Sequence, residues 1–363
     1  MHESTPGPVV VFARSDSDLA AMIEVRTKAD PDSPPPRLDN LRHNLAGNPE
    51  LAYLVAREAA VPVACGFVDV TQDTVARAHV LVVPDARRRG IGTALLVAVS
   101  RCARESRRAQ LEGSIRAHDE ESLRYFTRRG FEKVGGEEAV ALDLAAADAR
   151  VAEPPHGVRI VSRAELPDIV EGMYAVAQEA EPDIPGGVPV RPFDVWRATE
   201  IDRPSLAPEF TFVALAGDEV VGYAILDSLG GELWHRLTAV KRAWRRRGIA
   251  TALKLAQIGA ARRSGLARLV TTNEARNTAM RSINDALGYR PEPQLSTIVV
   301  GLMDSRPSGA STRNRWPSAL AAYLLRELPP RTLMENSVRG MPACTSLPAV
   351  RISTAMSFWS GDR

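Results

Sequence analysis

The 363-residue sequence predicts an α/β fold laid down twice, as two tandem domains that each carry a mixed central sheet flanked by helices. Three observations carry this. The chain exceeds one ordinary domain, and each half is long enough to bury a core. Residues 82–92, VVPDARRRGIG, return as residues 240–250, VKRAWRRRGIA, so Arg87 and Arg245 stand 158 positions apart. Gly130-Phe131 and Gly288-Tyr289 recur at that same separation, and a Thr-Ala-Leu helix opening follows both Arg-rich loops.

Each copy shows one order of elements. In the first, Val9 to Ala13 reads as a strand and Ser17 to Thr27 as a helix. Ala52 to Arg57 and Val61 to Val70 form a hairpin pattern, His79 to Val83 a further strand, and Gly92 to Glu105 a helix with an apolar stripe. In the second, Val158 to Val161, Phe210 to Leu215 and Val220 to Ile225 are strand patterns, with a turn at residues 216–219. Arg236 to Val240 leads into the second loop and Ala250 to Arg262 is the helix after it. The expected division is a domain at 1–150, a proline-rich link at 151–157, a domain at 158–303, and a disordered tail at 304–363 rich in Ser, Arg and Pro.

Composition excludes several classes. No run approaches the eighteen apolar residues of a membrane span, and the first residues, MHESTPGP, do not form a secretion signal, so a cytoplasmic protein without membrane partners is expected. Cys65, Cys102 and Cys344 lack metal or redox spacing, which points to reduced thiols and no metal. A net charge of +2 gives no overall reason to bind nucleic acid. Of the 46 basic residues only Lys28, Lys133, Lys241 and Lys254 are lysine.

Chemistry concentrates in two loops between a strand and a helix: Arg87-Arg88-Arg89-Gly90-Ile91-Gly92-Thr93 and Arg245-Arg246-Arg247-Gly248-Ile249-Ala250-Thr251. Such a loop offers free backbone N–H groups at a helix N-terminus, where the helix dipole also favours negative charge. Glycine permits the turn and a close approach of an anion, and arginines add charge-assisted hydrogen bonds to phosphate oxygens. The loop suits a pyrophosphate. It is neither a P-loop nor a dinucleotide fingerprint.

On these residues the sequence resembles the GNAT acetyltransferases. Their loop is Arg/Gln-x-x-Gly-x-Gly/Ala after a strand ending in Val, here Val82 and Val240. Their second landmark, a helix leading into Gly-Phe/Tyr, appears as Tyr125-Phe126-Thr127-Arg128-Arg129-Gly130-Phe131 and as Ile283 to Tyr289. The resemblance spans about residues 9–144 and 158–303 and implies acetyl-CoA as co-substrate, an amine as acceptor, and a monomer or homodimer. A small-molecule amine is the leading acceptor, with a protein or peptide amine, or a non-catalytic acyl-CoA-binding scaffold, as alternatives.

Amine acetylation needs a base, because an amine with a pKa near about 10.4 is protonated at neutral pH, and an acid for the departing thiolate. The tyrosine that many family members use as that acid is replaced by Phe126 and Asn284. Tyr125 lies one residue away, a turn of about 100 degrees on a helix. His79, Glu232 and His235 lie on or near the strands before the loops, and strand alternation sets Trp234, Arg236, Thr238 and Val240 on the face opposite His235 unless a bulge intervenes. The catalytic candidates are therefore Glu232, His235 and Tyr125. Asn277 matches an Asn the family often places near the pantetheine arm, or it caps the next helix; Asp119 occupies that place in the first copy. On Asn277, the C-terminal copy is expected to be the active one.

Overall fold

The repeat predicts two sheets, and the computed structural model joins them into one. It describes residues 8–70, 75–147, 153–183, 190–229 and 231–304, with a short strand at 350–351. The first copy runs β1 (Val9–Phe12), α1 (Asp16–Ala29), α2 (Leu38–Gly47), β2 (Leu51–Glu58), β3 (Val61–Asp69), β4 (Val75–Val82), α3 (Ile91–Glu105), β5 (Gln110–Arg116), α4 (Glu120–Thr127) and β6 (Glu132–Asp143). The second runs β7 (Val158–Ser162), α5 (Val170–Ala180), α6 (Phe193–Trp196), β8 (Phe212–Ala216), β9 (Glu219–Leu229), β10 (Glu232–Val240), α7 (Ile249–Arg263), β11 (Arg268–Glu274), α8 (Thr278–Ala286), β12 (Arg290–Pro291) and β13 (Thr297–Asp304). The 304–363 segment, expected to be a disordered tail, lies outside the described residues apart from Asp304 and β14 (Val350–Arg351), which runs antiparallel to β1.

Local chemistry sets the helix ends. Ser15 starts α1 with a capping box, its hydroxyl accepting from Asp18 N–H while the Asp18 carboxylate accepts from Ser15. Gly90 and Gly248 precede α3 and α7 at φ +82° and +84°, a left-handed conformation that an ordinary side chain resists. Four large arrays of apolar side chains, and a small fifth of Ala139, Ala141, Val270 and Leu295, follow. Those under α1 with α2, and under α5, cover one face of the sheet; those under α3 and α7 cover the other.

The strand order β14-β1-β2-β3-β4-β5-β13-β6-β11-β10-β9-β8-β7 contains an exchange. β13, the last strand of the second copy, lies antiparallel between β5 and β6, with Thr297 opposite Arg116. β6, the last strand of the first copy, lies antiparallel to β11, with Asp143 opposite Arg268. The cores hold the exchange in place: Val300 joins the apolar array under α3, while Val140 and Leu142 join the one under α7. The sheet thus crosses the expected boundary between residues 150 and 158. Elsewhere the copies meet where α2 packs on residues 197–201, His43 Nε2 lying 2.6 Å from the Ala198 carbonyl, and where Arg191 pairs with Asp69 at 2.9 Å.

Within each copy two parallel strands part and leave a wedge. β4 and β5 pair only from Val75 to Arg77, and β10 and β11 only at Leu233 and Trp234. A bulge between His235 and Leu237 changes the alternation expected for β10. Trp234 and Val240 consequently point to opposite faces, Trp234 packing with Leu295 and Val240 under α7.

Candidate active site

Both Arg-rich loops fold alike. Arg88 and Arg246 take φ +64° and +59°, and the following glycines are also left-handed, so successive N–H groups turn toward one concavity. The amides of Ile91, Gly92 and Thr93 precede the first helical bond, from Ala94 N–H to the Gly90 carbonyl; Ala252 and Gly248 repeat it. Arg87 and Arg245 each donate from Nε to the carbonyl of the strand's last valine, Val82 at 3.1 Å and Val240 at 3.0 Å. A Cβ on Gly90 would meet nothing within 4 Å, so φ alone demands glycine there. Ala250 occupies the place of Gly92, whose Cβ would stand 3.4 Å from Val82 Cγ2.

Beyond the loops the copies diverge. The wedge between β4 and β5 is an open cleft of about 720 Å3. On the α3 side its walls are apolar: Ala78, Val80, Leu96, Ile115, Phe126 and Phe131, with Val300 contributed by the exchanged β13. Arg87, Arg88, Arg124, Arg128 and Arg129 ring the mouth beside the loop. Arg88 pairs with Glu121 at 2.9 Å and Arg89 with Glu58 at 2.6 Å. Tyr125 is part of this rim. Its hydroxyl lies 2.9 Å from Thr93 Oγ1 at the start of α3, and the Arg129 guanidinium stacks 3.6 Å from its ring centre. An apolar slot ending in a ring of cations and helix amides matches a ligand with an uncharged arm and a polyanionic end.

The corresponding wedge of the second copy is filled. Lys254, Gln257, Asn273, Asn284 and Tyr289 stand where the first copy has Leu96, Val99, Ile115, Phe126 and Phe131, and all are at most 2% exposed. His235 takes the register place of Ala78, and its Nε2 hydrogen-bonds the Tyr289 hydroxyl. Asn284 donates to Asn273 Oδ1 at 2.6 Å, and the Lys254 ammonium sits 5.4 Å from the Tyr289 ring centre. Burial pushes Lys254 down to about 7; burial and the Lys254 charge push His235 well below its ordinary value. The second loop also binds a carboxylate of its own chain. Asp183 accepts two hydrogen bonds from Arg242 and one from Arg245, each 2.7 Å, which holds its carboxyl well below the usual range. Glu179 accepts from Arg242 N–H.

The opposite face of the second copy is closed as well. The bulged Arg236 is chelated by Glu200 at 2.7 and 2.8 Å, and Arg203 pairs with the buried Asp227 at 3.1 Å. Burial opposes the charge on Glu200, but Arg236 outweighs it and holds the carboxyl below its usual value.

These contacts locate the sequence candidates. His235 is enclosed in the filled wedge. Glu232 lies at the closed end of β10, paired with Arg268 at 2.9 Å. Asn277 caps α8 by accepting from Met280 N–H at 3.2 Å, as Asp119 caps α4 from Ser122 N–H at 2.9 Å. The expectation that the C-terminal copy is the active one therefore loses its basis, because Asn277 is committed to a helix end and the slot behind it is occupied. His79 lines the open cleft on the face away from α3, tilted against Phe67. Burial and the nearby Arg26 charge push it down to about 4, so it is a neutral imidazole at neutral pH. Beside it stand Arg26, Asp30, Ser33, Glu112 and Arg116. Applying the 158-residue offset to Leu96 and Ile115 reaches Lys254 and Asn273, a polar substitution that the loop motifs alone do not reveal.

Residues 49–133 match the model of the acetyltransferase (GNAT) domain, and residues 173–289 that of the acetyltransferase (GNAT) family. The chain holds two GNAT domains in tandem. This tandem GNAT protein is similar in fold to a GCN5-related N-acetyltransferase from Sphaerobacter thermophilus, at 20% identity over 84% of this chain and 98% of that one, with TM-score 0.64. A tandem GNAT protein from the clavulanic acid biosynthesis pathway aligns at 21% identity over 84% of this chain and 99% of its own, with TM-score 0.65. A probable acetyltransferase of Pyrococcus horikoshii gives 16%, 85%, 92% and 0.55 for the same four quantities. At these identities the likeness is one of fold. A search of the curated proteins finds no match. Among the described residues no helix is long and apolar enough to cross a membrane, and no three His, Cys, Asp or Glu side chains are grouped to hold a metal.

Proposed function

We propose that this protein transfers the acetyl group of acetyl-CoA to the amine of a small molecule, and that the N-terminal cleft does the chemistry while the C-terminal copy serves as its structural partner. The observation that carries this reading is the contrast between the wedges: an open, apolar slot with a cationic mouth against one filled by Lys254, Asn284 and Tyr289. The pyrophosphate would lie on the amides of Gly90 to Thr93, with Arg87, Arg128 and Arg129 around it, and the pantetheine arm would run past Leu96 and Phe126.

The reaction then proceeds at the far end of the slot. The acceptor enters from the α1 face and loses a proton to His79 directly or through a water. Its nitrogen attacks the thioester carbonyl, the C–S bond breaks with its electron pair leaving on sulfur as thiolate, and the second N–H proton passes to that thiolate or to solvent as the amide forms. Where β4 has parted from β5, backbone groups facing the gap lack a strand partner and are available to the oxyanion. The thiolate leaves without a tyrosine acid, since Phe126 holds that place. A small acceptor is favoured because the α1 face of the cleft is bounded by the Arg116–Asp30 pair and the exchanged strand.

Release of free thiol from acetyl-CoA, followed with a panel of amines, tests the proposal. Amine-dependent release by the wild type that disappears in His79→Ala is the expected result. Acetyl-CoA binding without transfer to any amine, small or peptidic, would leave the scaffold reading in its place.

A further inference from the structure

We propose that the acceptor carries an anionic group beside its amine, a carboxylate or a phosphate, and that the Arg26 guanidinium is the residue that recognises it. The inference rests on the reading of the N-terminal cleft as the transfer site and names its substrate class.

Most of the charges on the α1 face of that cleft are already paired. Arg116 is committed: it chelates Asp30 at 3.2 and 2.9 Å, reaches Ser33, and donates to the Leu295 carbonyl at 2.8 Å. Arg77 lies 3.8 Å from Glu112. Glu121 is taken by Arg88 and Asp119 by its own helix. Arg26, from the last turn of α1, lines the same face, and although its carbonyl accepts from Asp30 N–H and its charge is felt by the Asp30 carboxylate, its guanidinium has no hydrogen bond or close ion pair among the described residues. It is a half-buried cation, placed beside the one neutral base, in a chamber whose carboxylates are otherwise engaged. A guanidinium so placed binds carboxylate or phosphate in bidentate fashion.

The two roles reinforce one another. The Arg26 charge is among the causes that depress His79, so an anion that neutralises Arg26 also returns basicity to the imidazole. Correct acceptors thus improve the base that deprotonates them, whereas a neutral amine leaves the Arg26 guanidinium without a bidentate partner.

The test uses the full chain saturated with acetyl-CoA and two matched pairs of amines: 6-aminohexanoate against hexylamine, and glucosamine 6-phosphate against glucosamine. The anionic member of at least one pair is expected to show kcat/KM about 10- to 100-fold above its neutral partner, the worth of one charge-assisted contact. Arg26→Gln should bring that ratio to near one without changing acetyl-CoA affinity, and Arg26→Lys should restore part of it. Whichever pair responds separates carboxylate from phosphate. A second arm needs no turnover: the preferred anionic amine should raise the melting temperature of the CoA-bound wild type and not of Arg26→Gln. Neutral amines used equally well, or a preference that survives Arg26→Gln, overturns the inference even with acetyl-CoA bound. Failure of acetyl-CoA to bind would instead strike the functional reading, and the melting arm, run on the free protein, would still decide the role of Arg26.

Discussion

Gly90→Asp is the sharpest perturbation of the proposed cofactor site, with Gly90→Asn as its neutral twin. At φ +82° both replacements enter the left-handed region, which Asn and Asp tolerate better than other side chains, at a cost of about 1 kcal/mol to folding. No neighbour lies within 4 Å of the added Cβ, so sterics contribute little. The difference between the two is one negative charge at the α3 N-terminus. Opposite a pyrophosphate charge at about 5 Å and an effective dielectric of about 20, it costs about 3 kcal/mol, or roughly 200-fold in affinity. Calorimetric titration of the full chain with acetyl-CoA should show one equivalent bound by the wild type. Binding should fall about 100-fold or more in Gly90→Asp, and modestly in Gly90→Asn. Gly248→Asp should bind as the wild type does, because Asp183 and the filled wedge already occupy that copy. Two equivalents bound by the wild type, or equal damage from Gly248→Asp, would refute the reasoning.

Three further outcomes are expected. Lys254 has a depressed folded value of about 7 against an ordinary 10.5, so the unfolded chain binds the extra proton between those limits and wild-type stability should rise from pH 7 to 10. Lys254→Leu should flatten that rise and lift the melting temperature at pH 7, since it removes a buried cation with no ion-pair partner among the described residues; a lower melting temperature would show that the ammonium is satisfied. His79, at about 4 against 6.5, should make stability fall as pH drops from 6.5 to 4, and His79→Gln should remove that slope in urea midpoints. Arg116→Ala should leave Asp30 unpaired, cost about 2 kcal/mol in urea unfolding, and raise acceptor KM without weakening acetyl-CoA binding; an unchanged KM would remove Arg116 from the acceptor chamber.

The two Arg-rich loops were legible because the elements that build them are local. Strand, turn glycine and helix start lie within a dozen residues, and both copies keep one register. The exchange of β6 and β13 was not, since a strand's own alternation is the same whichever sheet it joins. The filled wedge is written in the sequence as well: Lys254, Asn273 and Asn284 against Leu96, Ile115 and Phe126 is a change from apolar to polar at the repeat offset. Asn277 is ambiguous from sequence because a helix cap and a ligand contact ask for the same side chain at the same place, and the structure shows the cap. The Arg26–His79 neighbourhood could not be read at all, because it joins a helix and a strand some fifty residues apart.

The exchanged strands also set a timetable for synthesis. β5 ends at Arg116 and its neighbour β13 begins at Thr297, so the first copy leaves the ribosome with one sheet edge unpaired. At about 5–20 residues per second, that edge waits roughly 10–40 s for its partner. During this interval β6, already made and tethered nearby, can settle against β5 in the place reserved for β13. A synonymous change that slows translation between the two copies would lengthen the exposure without altering one residue of the finished protein.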